Sequence, residues 1–226
     1  MRKITTLLIV LGLIYAEQIN GQCIPCDATT TSFPVNFSST PDTSYALTST
    51  RNGHCCGATV NAADSTLSGG GGVDRAIHKA GGITIIEECK KIIAQEGRVH
   101  TGDAVITNAG ILKAKKIIHA VGPVWKGGNN GEENKLASTY RSSIELAAKN
   151  ILRIVAFPNI STGVYGYPKD QAAQIAIDEV VNELQKTFVI HKIIFVCYDK
   201  ENYQLYLDYL AKKYGLVSGR FTSILG

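Results

Sequence analysis

From residue 55 onward, the apolar positions of the chain follow two rhythms that alternate. Short runs rich in Val and Ile predict strands over 56–61, 103–107, 116–121, 153–157 and 192–198. Between them, apolar residues three and four apart predict helices over 73–80, 83–95, 132–150, 168–187 and 201–214. In the second helix Ile86, Cys89 and Ile93 share a face, and in the third Leu136, Tyr140, Ile144 and Ala147 do so. The last helix turns Tyr203, Leu207, Leu210 and Tyr214 inward and stops at Gly215. Pro168 suits the first turn of the fourth helix. The run 192–198 is apolar almost throughout, which predicts burial on both faces. Strands that alternate with helices imply a layered α/β domain with a mostly parallel or mixed sheet.

Before that domain the pattern changes. Residues 17–50 are rich in Thr, Ser, Asn and Pro and have no period, so they read as a linker or an irregular arm. Residues 1–16 open with Met-Arg-Lys, continue apolar from Ile4 to Tyr15 and close on Ala16. That order of basic, apolar and small residues predicts a secretory signal peptide and a secreted chain. The run is too short for a membrane span, which needs about 20 apolar residues. The alternative is a misplaced gene start, with the apolar run forming a first strand of a cytoplasmic or nuclear protein.

Composition narrows the picture. A chain of 226 residues, 45% hydrophobic and 19% charged, is one globular domain with an appendage. Its 23 Lys+Arg against 19 Asp+Glu leave too small an excess for a nucleic-acid binder. Six cysteines allow disulfides in an oxidising compartment, but spacing does not give their pairing. Cys23 and Cys26 form an isolated pair, and His54 beside Cys55 and Cys56 has no further partner at ligand spacing, so no metal is expected. Cys89 and Cys197 fall in apolar patterns and read as small core residues.

The chemistry concentrates in two glycine-bearing loops, each after a strand and before a helix. The first runs from Asn61 through Asp64 and Gly69 to Gly72, then Val73 and Asp74. Consecutive glycines let backbone N–H groups converge, and the following helix N-terminus adds positive partial charge, which suits a phosphate or diphosphate. A Walker loop would need Lys-Ser/Thr where Val73-Asp74 stand, and the dinucleotide fingerprint would need Gly at Asp74. The second loop runs from Pro158 to Pro168. Ser161 and Thr162 supply hydroxyls, Gly163 and Gly166 permit close approach, and Tyr165 and Tyr167 offer flat faces for a sugar or base or else pack in the core. Ser161 lacks the frame of a hydrolase nucleophile.

Together these loops resemble the macrodomain family, in its MacroD-type branch, over about residues 56–212. The similar motifs are VNAAD at 60–64, GGGGVDRAIHKAGG at 69–82, TGDAVIT at 101–107, KKIIHAVGPVW at 115–125, AFPNISTGVYGYP at 156–168 and IIFVCYDKENYQLY at 193–206. The resemblance implies a three-layer α/β/α fold over residues 51–215, with 216–226 as a tail. It implies a monomer that binds ADP-ribose or an ADP-ribosylated protein. It also implies hydrolysis of mono-ADP-ribose esters on acidic side chains, or of O-acetyl-ADP-ribose, with no metal or cofactor. By position, Gly70, Gly71, Gly72 and Val73 would line the diphosphate and the distal ribose. Ser161, Thr162, Gly163, Val164 and Tyr165 would hold the other side of the diphosphate, and Tyr167 would pack on the distal ribose. Asp74 matches the catalytic aspartate, and Asn61 the first asparagine of an Asn-Ala-Ala-Asn motif. That motif's last residue is Asp64 here, which leaves open a reader that binds without turnover. The Gly-Asp-Ile-Thr segment that carries the family's adenine-reading aspartate has no counterpart in 40–55, and Tyr198 is the candidate to stack on the base.

Overall fold

The computed structural model describes residues 8–13 and 57–214. Its elements are β1 (Leu8–Leu13), β2 (Gly57–Ala62), α1 (Gly72–Gly81), α2 (Ile83–Glu96), β3 (Ala104–Asn108), β4 (Lys116–Ala120), α3 (Glu132–Lys149), β5 (Ile154–Pro158), α4 (Lys169–Leu184), β6 (Lys192–Cys197) and α5 (Lys200–Tyr214). Every predicted strand and helix of the domain is present, with ends displaced by at most three residues.

The strands form one mixed sheet in the order β1-β6-β5-β2-β4-β3. All neighbours run parallel except β3 and β4. Because successive side chains of a strand point to opposite faces, each buried strand feeds two cores. Ile117, Ala156 and Ile194 pack with Ile77, Ile85 and Cys89 from α1 and α2. Their neighbours Ile118, Phe157 and Phe195 pack with Leu136, Tyr140, Ile177 and Tyr206 from α3, α4 and α5. The result is the expected three-layer α/β/α sandwich, with β6 buried along its full length.

Two helix faces differ from the periodic reading. In α2 the fully buried position is Ile85 rather than Ile86. The tight α1–α2 corner causes this: a Cβ on Gly81 would lie only 2.0 Å from Ile85 Cδ1, so Ile85 sits directly beneath α1. In α5 the inward stripe is Asn202, Tyr206 and Leu210, while Tyr203 and Leu207 are half-buried. The stripe centres on Tyr206 because its ring meets Phe195 at 5.0 Å, continuing a row through Phe157 to Tyr140.

At the N-terminal end, β1 pairs in parallel with β6, Leu8 opposite Lys192 and Leu13 opposite Cys197. The strand lies inside the segment with signal-peptide character. The arm at 17–50, Cys23, Cys26, His54, Cys55, Cys56, Gly215 and the tail at 216–226 lie outside the described residues.

Phe157 joins β5 to the aromatic row and is fully buried. Truncation to Ala removes that ring and leaves a cavity, so Phe157→Ala should lower unfolding free energy by about 3–5 kcal/mol, read by urea denaturation.

Candidate active site

β2 and β5 are parallel neighbours, and the chain leaves them toward opposite faces. After β2 it enters α1 in one helix layer, and after β5 it enters α4 in the other. This is a topological switch point, the place where open α/β sheets leave a crevice beyond the strand ends. Both glycine-bearing loops meet there.

The first loop is organised around one buried carboxylate. Asp74, in the first turn of α1, is 2% exposed. Its Oδ1 accepts from Asn61 Nδ2 at 2.7 Å and its Oδ2 from the Gly70 N–H at 2.8 Å. His78, one turn later on α1, brings Nε2 to 3.3 Å from Asp74 Oδ1, close enough for charge attraction but outside hydrogen-bond alignment. Burial works to raise the Asp74 pKa, but His78, Asn61 and the Gly70 N–H together hold it below the usual carboxylate value. Asp74 does not cap the helix: Gly71 is the N-cap, and no side chain caps α1. The N–H groups of its first turn therefore have no helical partner and lie beside the exposed Gly70, Gly71 and Gly72. Gly72, at φ +57°, takes a backbone conformation that a side chain would strain. Val73 is half-buried against the α1–α2 core.

Asn61, at the end of β2, is fully buried. Its Nδ2 also lies 3.1 Å from Nδ1 of His119, its register partner on β4. His119 Nε2 is 2.9 Å from Thr107 Oγ1, and that hydroxyl donates to the Asn108 carbonyl. Burial first, and His78 second, push the His119 pKa down to about 4 against the opposing pull of Asp74 and Glu88, so the ring is neutral at pH 7. Cys89 packs against the ring, with its sulfur 3.7 Å from Nε2. His78, Cys89 and His119 thus offer metal-ligand atoms within 4.8 Å of one another. Their chemistry suits a hydrogen-bonded core better. Both His119 nitrogens are engaged, and burial raises the Cys89 thiol to about 12, far from the thiolate that a metal would need.

Asp64 turns onto its own loop. Oδ1 accepts from the Thr66 N–H at 2.6 Å and from the Thr66 hydroxyl, while Oδ2 accepts from the Ser68 hydroxyl at 3.2 Å. Its hydrogen bonds go to these residues and not to Asn61 or Asp74.

The second loop is held from behind. A Cβ on Gly122 would lie 2.3 Å from Ser161 Oγ, so only glycine lets the segment after β4 approach this closely. Ser161 itself is strained at φ +65° and buried, with no partner for its hydroxyl among the described residues. Thr162 Oγ1 donates to the Asn159 carbonyl at 3.3 Å, and Gly163 and Val164 are exposed. The Tyr165 carbonyl accepts from the Trp125 N–H at 2.8 Å. Burial first, then the charges of Asp64 and Asp74, raise the pKa of half-buried Tyr165. Tyr167 is 2% exposed, and its ring packs 4.6 Å from Trp125 at the edge of the core. Tyr198 is 52% exposed, and its N–H is fixed to Asn159 Oδ1 at 3.0 Å.

The Macro domain family model matches residues 60–176. The chain belongs to the macrodomain family. It is 52% identical over 154 residues to the O-acetyl-ADP-ribose deacetylase of Enterobacter sp. strain 638, covering 68% of this chain and 86% of that one. It is 37% identical to the Oceanobacillus iheyensis macrodomain solved with ADP, at a TM-score of 0.65, covering 69% of this chain and 83% of that one. The Trypanosoma brucei macrodomain in complex with ADP-ribose matches at 37% identity and a TM-score of 0.60, covering 67% of this chain and 62% of that one.

Several residues that shape this macrodomain's site were not assigned that role from sequence. His78 was legible in principle, four residues after Asp74 on one helix face. His119 and Thr107 were not, since nothing local ties them to Asn61. Glu132 was likewise hidden. It is 1% exposed and gathers the N–H groups of Lys126 at 3.0 Å, Gly128 at 3.4 Å and Asn130 at 2.6 Å. This closes the loop behind Trp125, which backs Tyr167. Burial would raise the Glu132 pKa, but its own backbone N–H, those of Asn130 and Lys126, and the Asn130 side chain bring it down to about 2.

The Glu132 contribution to stability is therefore complete above the ordinary glutamate pKa, near 4.5, and is lost as pH falls through about 2. Glu132→Gln should remove this contribution at neutral pH. Its loop amides, Lys126, Gly128 and Asn130, should exchange hydrogen faster than in wild type, and the midpoint of thermal unfolding should fall.

Proposed function

We propose that this macrodomain binds ADP-ribose across its two loops and hydrolyses esters of it. The substrate would be O-acetyl-ADP-ribose or mono-ADP-ribose on acidic side chains. The observation that carries this reading is the buried, ionised Asp74 hydrogen-bonded to Asn61, beside a glycine-lined helix N-terminus. The deacetylase name of the Enterobacter relative supports the reaction class. The ADP and ADP-ribose complexes of the two solved macrodomains support the ligand. In this reading the N–H groups of Gly71, Gly72 and Val73, with Gly70 beside them, receive one side of the diphosphate. The loop from Ser161 through Thr162, Gly163 and Val164 to Tyr165 closes over the other. Asn61 Oδ1 accepts from a hydroxyl of the distal ribose.

Asp74 would accept the proton of a water or ribose hydroxyl. Its lowered pKa makes it a weak base, which is enough for a labile ester and too little for an unactivated bond. Asp64 would keep the first loop in shape through Thr66 and Ser68. The protein would act as a monomer.

Calorimetric titration should show clear binding of ADP-ribose, weaker binding of ADP and much weaker binding of AMP. Asp74→Asn should cut ester hydrolysis by about 10²–10⁴-fold, the usual contribution of a general base, with ADP affinity largely kept. The acid limb of the wild-type pH–rate profile should lie below the ordinary aspartate range, since Asp74 loses its charge only as pH falls through its lowered pKa. Binding without turnover in the wild-type chain would identify a reader instead.

We further propose that residues 1–16 direct export. The basic, apolar and small-residue order supports this, and cleavage after Ala16 would take β1 with it and leave β6 at the sheet edge. Mass spectrometry of chain recovered from culture medium should then find a mature N-terminus at Glu17. A cell-retained chain that keeps Arg2 would overturn the proposal and leave β1 in the sheet.

A further inference from the structure

We propose that His119 is a positioning residue for the reaction: it fixes the plane of the Asn61 amide, so that Asn61 Oδ1 is held as the one free acceptor of the network. The inference deepens the hydrolase reading and rests on it for its kinetic part. Asp74 is ionised and can only accept, so the Asn61 atom 2.7 Å from Oδ1 must be the amide nitrogen. One of its two hydrogens is spent there. The other meets His119 Nδ1 at 3.1 Å, so Nδ1 must be the lone-pair nitrogen and the ring proton must sit on Nε2. That proton has an acceptor in Thr107 Oγ1 at 2.9 Å, which is free to accept because the Thr107 hydrogen already goes to the Asn108 carbonyl at 2.9 Å. Donation therefore runs outward from the Asn61 amide, to Asp74 on one side and through His119 and Thr107 to the Asn108 carbonyl on the other.

A single hydrogen bond to Asp74 would let the amide pivot about it. Two bonds from one nitrogen set the plane, and with it the direction of Oδ1. That oxygen is buried and has no partner among the described residues. A buried acceptor left in this condition is costly, and a hydroxyl group is the partner it suits. The rotamer of His119 is itself constrained by its place on β4 and by the packing of Cys89 at 3.7 Å and His78 at 5.7 Å between ring centroids. The titratable groups that face the ring are His78, Cys89, Asp74 and Glu88, from α1 and α2. Protonating His119 would set an N–H against an N–H, and turning the Asn61 amide over to relieve this would set Oδ1 against the Asp74 carboxylate.

Two measurements on the full chain test this. Long-range ¹H–¹⁵N correlation with ¹⁵N-histidine at pH 7 should show His119 protonated at Nε2 and bare at Nδ1; a proton on Nδ1 overturns the proposal. In kinetics, His119→Leu removes the acceptor, whereas His119→Asn returns an oxygen near the Nδ1 position. His119→Leu should lower kcat on O-acetyl-ADP-ribose by about 10–100-fold while ADP affinity is little changed, and His119→Asn should recover most of the loss. Wild-type turnover in His119→Leu, or no recovery in a folded His119→Asn, sinks it.

If the wild-type chain turns over no ester, the hydrolase reading fails separately. The tautomer still decides, together with the Asn61 side-chain amide resonance. On adding ADP-ribose this should shift in wild type and His119→Asn, and not in His119→Leu. Should His119→Leu fail to fold, the wild-type tautomer alone remains decisive.

Discussion

A carboxylate taken out of water either gains enough donors to keep its charge or takes up a proton, and the site of this macrodomain follows from the first outcome at Asp74. Each donor fixes a piece of backbone. Gly70 gives its N–H and ties the glycine loop back to the first turn of α1. Asn61 gives its amide and thereby ties the end of β2 to the start of α1. His78 adds attraction from the next helical turn. Losing any one of these leaves the burial cost with fewer opposing contacts, so the geometry of the loop and the ionisation of Asp74 depend on each other.

The sheet supplies what that network cannot. Two strands that are neighbours in space but send their chains to opposite layers open a crevice at their ends, and the strand register puts Asn61 and His119 side by side. The wall on the far side is built differently. It depends on close packing around Gly122 and Ser161 and on Glu132, whose carboxylate closes the loop behind Trp125. One side of the crevice is therefore organised by a buried charge on a helix, and the other by a buried charge below a loop.

Much of this was legible from periodicity, because hydrophobic spacing reports burial and burial defines layers. The almost wholly apolar run of β6 announced a strand covered on both faces, and α3 buried all four residues of its predicted stripe. Errors arose where a tertiary contact chose between adjacent apolar residues. Ile85 displaced Ile86 because α1 turns sharply at Gly81, and Tyr206 displaced Leu207 because an aromatic row ran toward it. Tyr167 shows the same dependence in the site: sequence leaves its ring open to a ligand face or to core packing, and its contact with Trp125 is set by a residue some forty positions away. The glycines and Asp74 stood out since their chemistry is local to one loop. His119 did not, since its significance lies in a cross-strand partner 58 residues away.

The same reasoning bears on Asp64, which stands where the family motif has an amide. An amide there could both donate and accept, whereas a carboxylate only accepts and brings charge toward a diphosphate. In this chain the local sequence meets that demand. Thr66 and Ser68 supply three donors to Asp64, so the carboxylate is satisfied within its own loop and its charge is spread over those bonds. Asn61 is then the remaining amide of the motif. On the proposed reading its nitrogen is committed to Asp74 and His119, and the orienting function that two amides could share would fall to one oxygen. A site with a single orienting acceptor would have less tolerance for a mobile amide than a site with two, so the proposed positioning network behind Asn61 would matter more here than the motif alone would suggest.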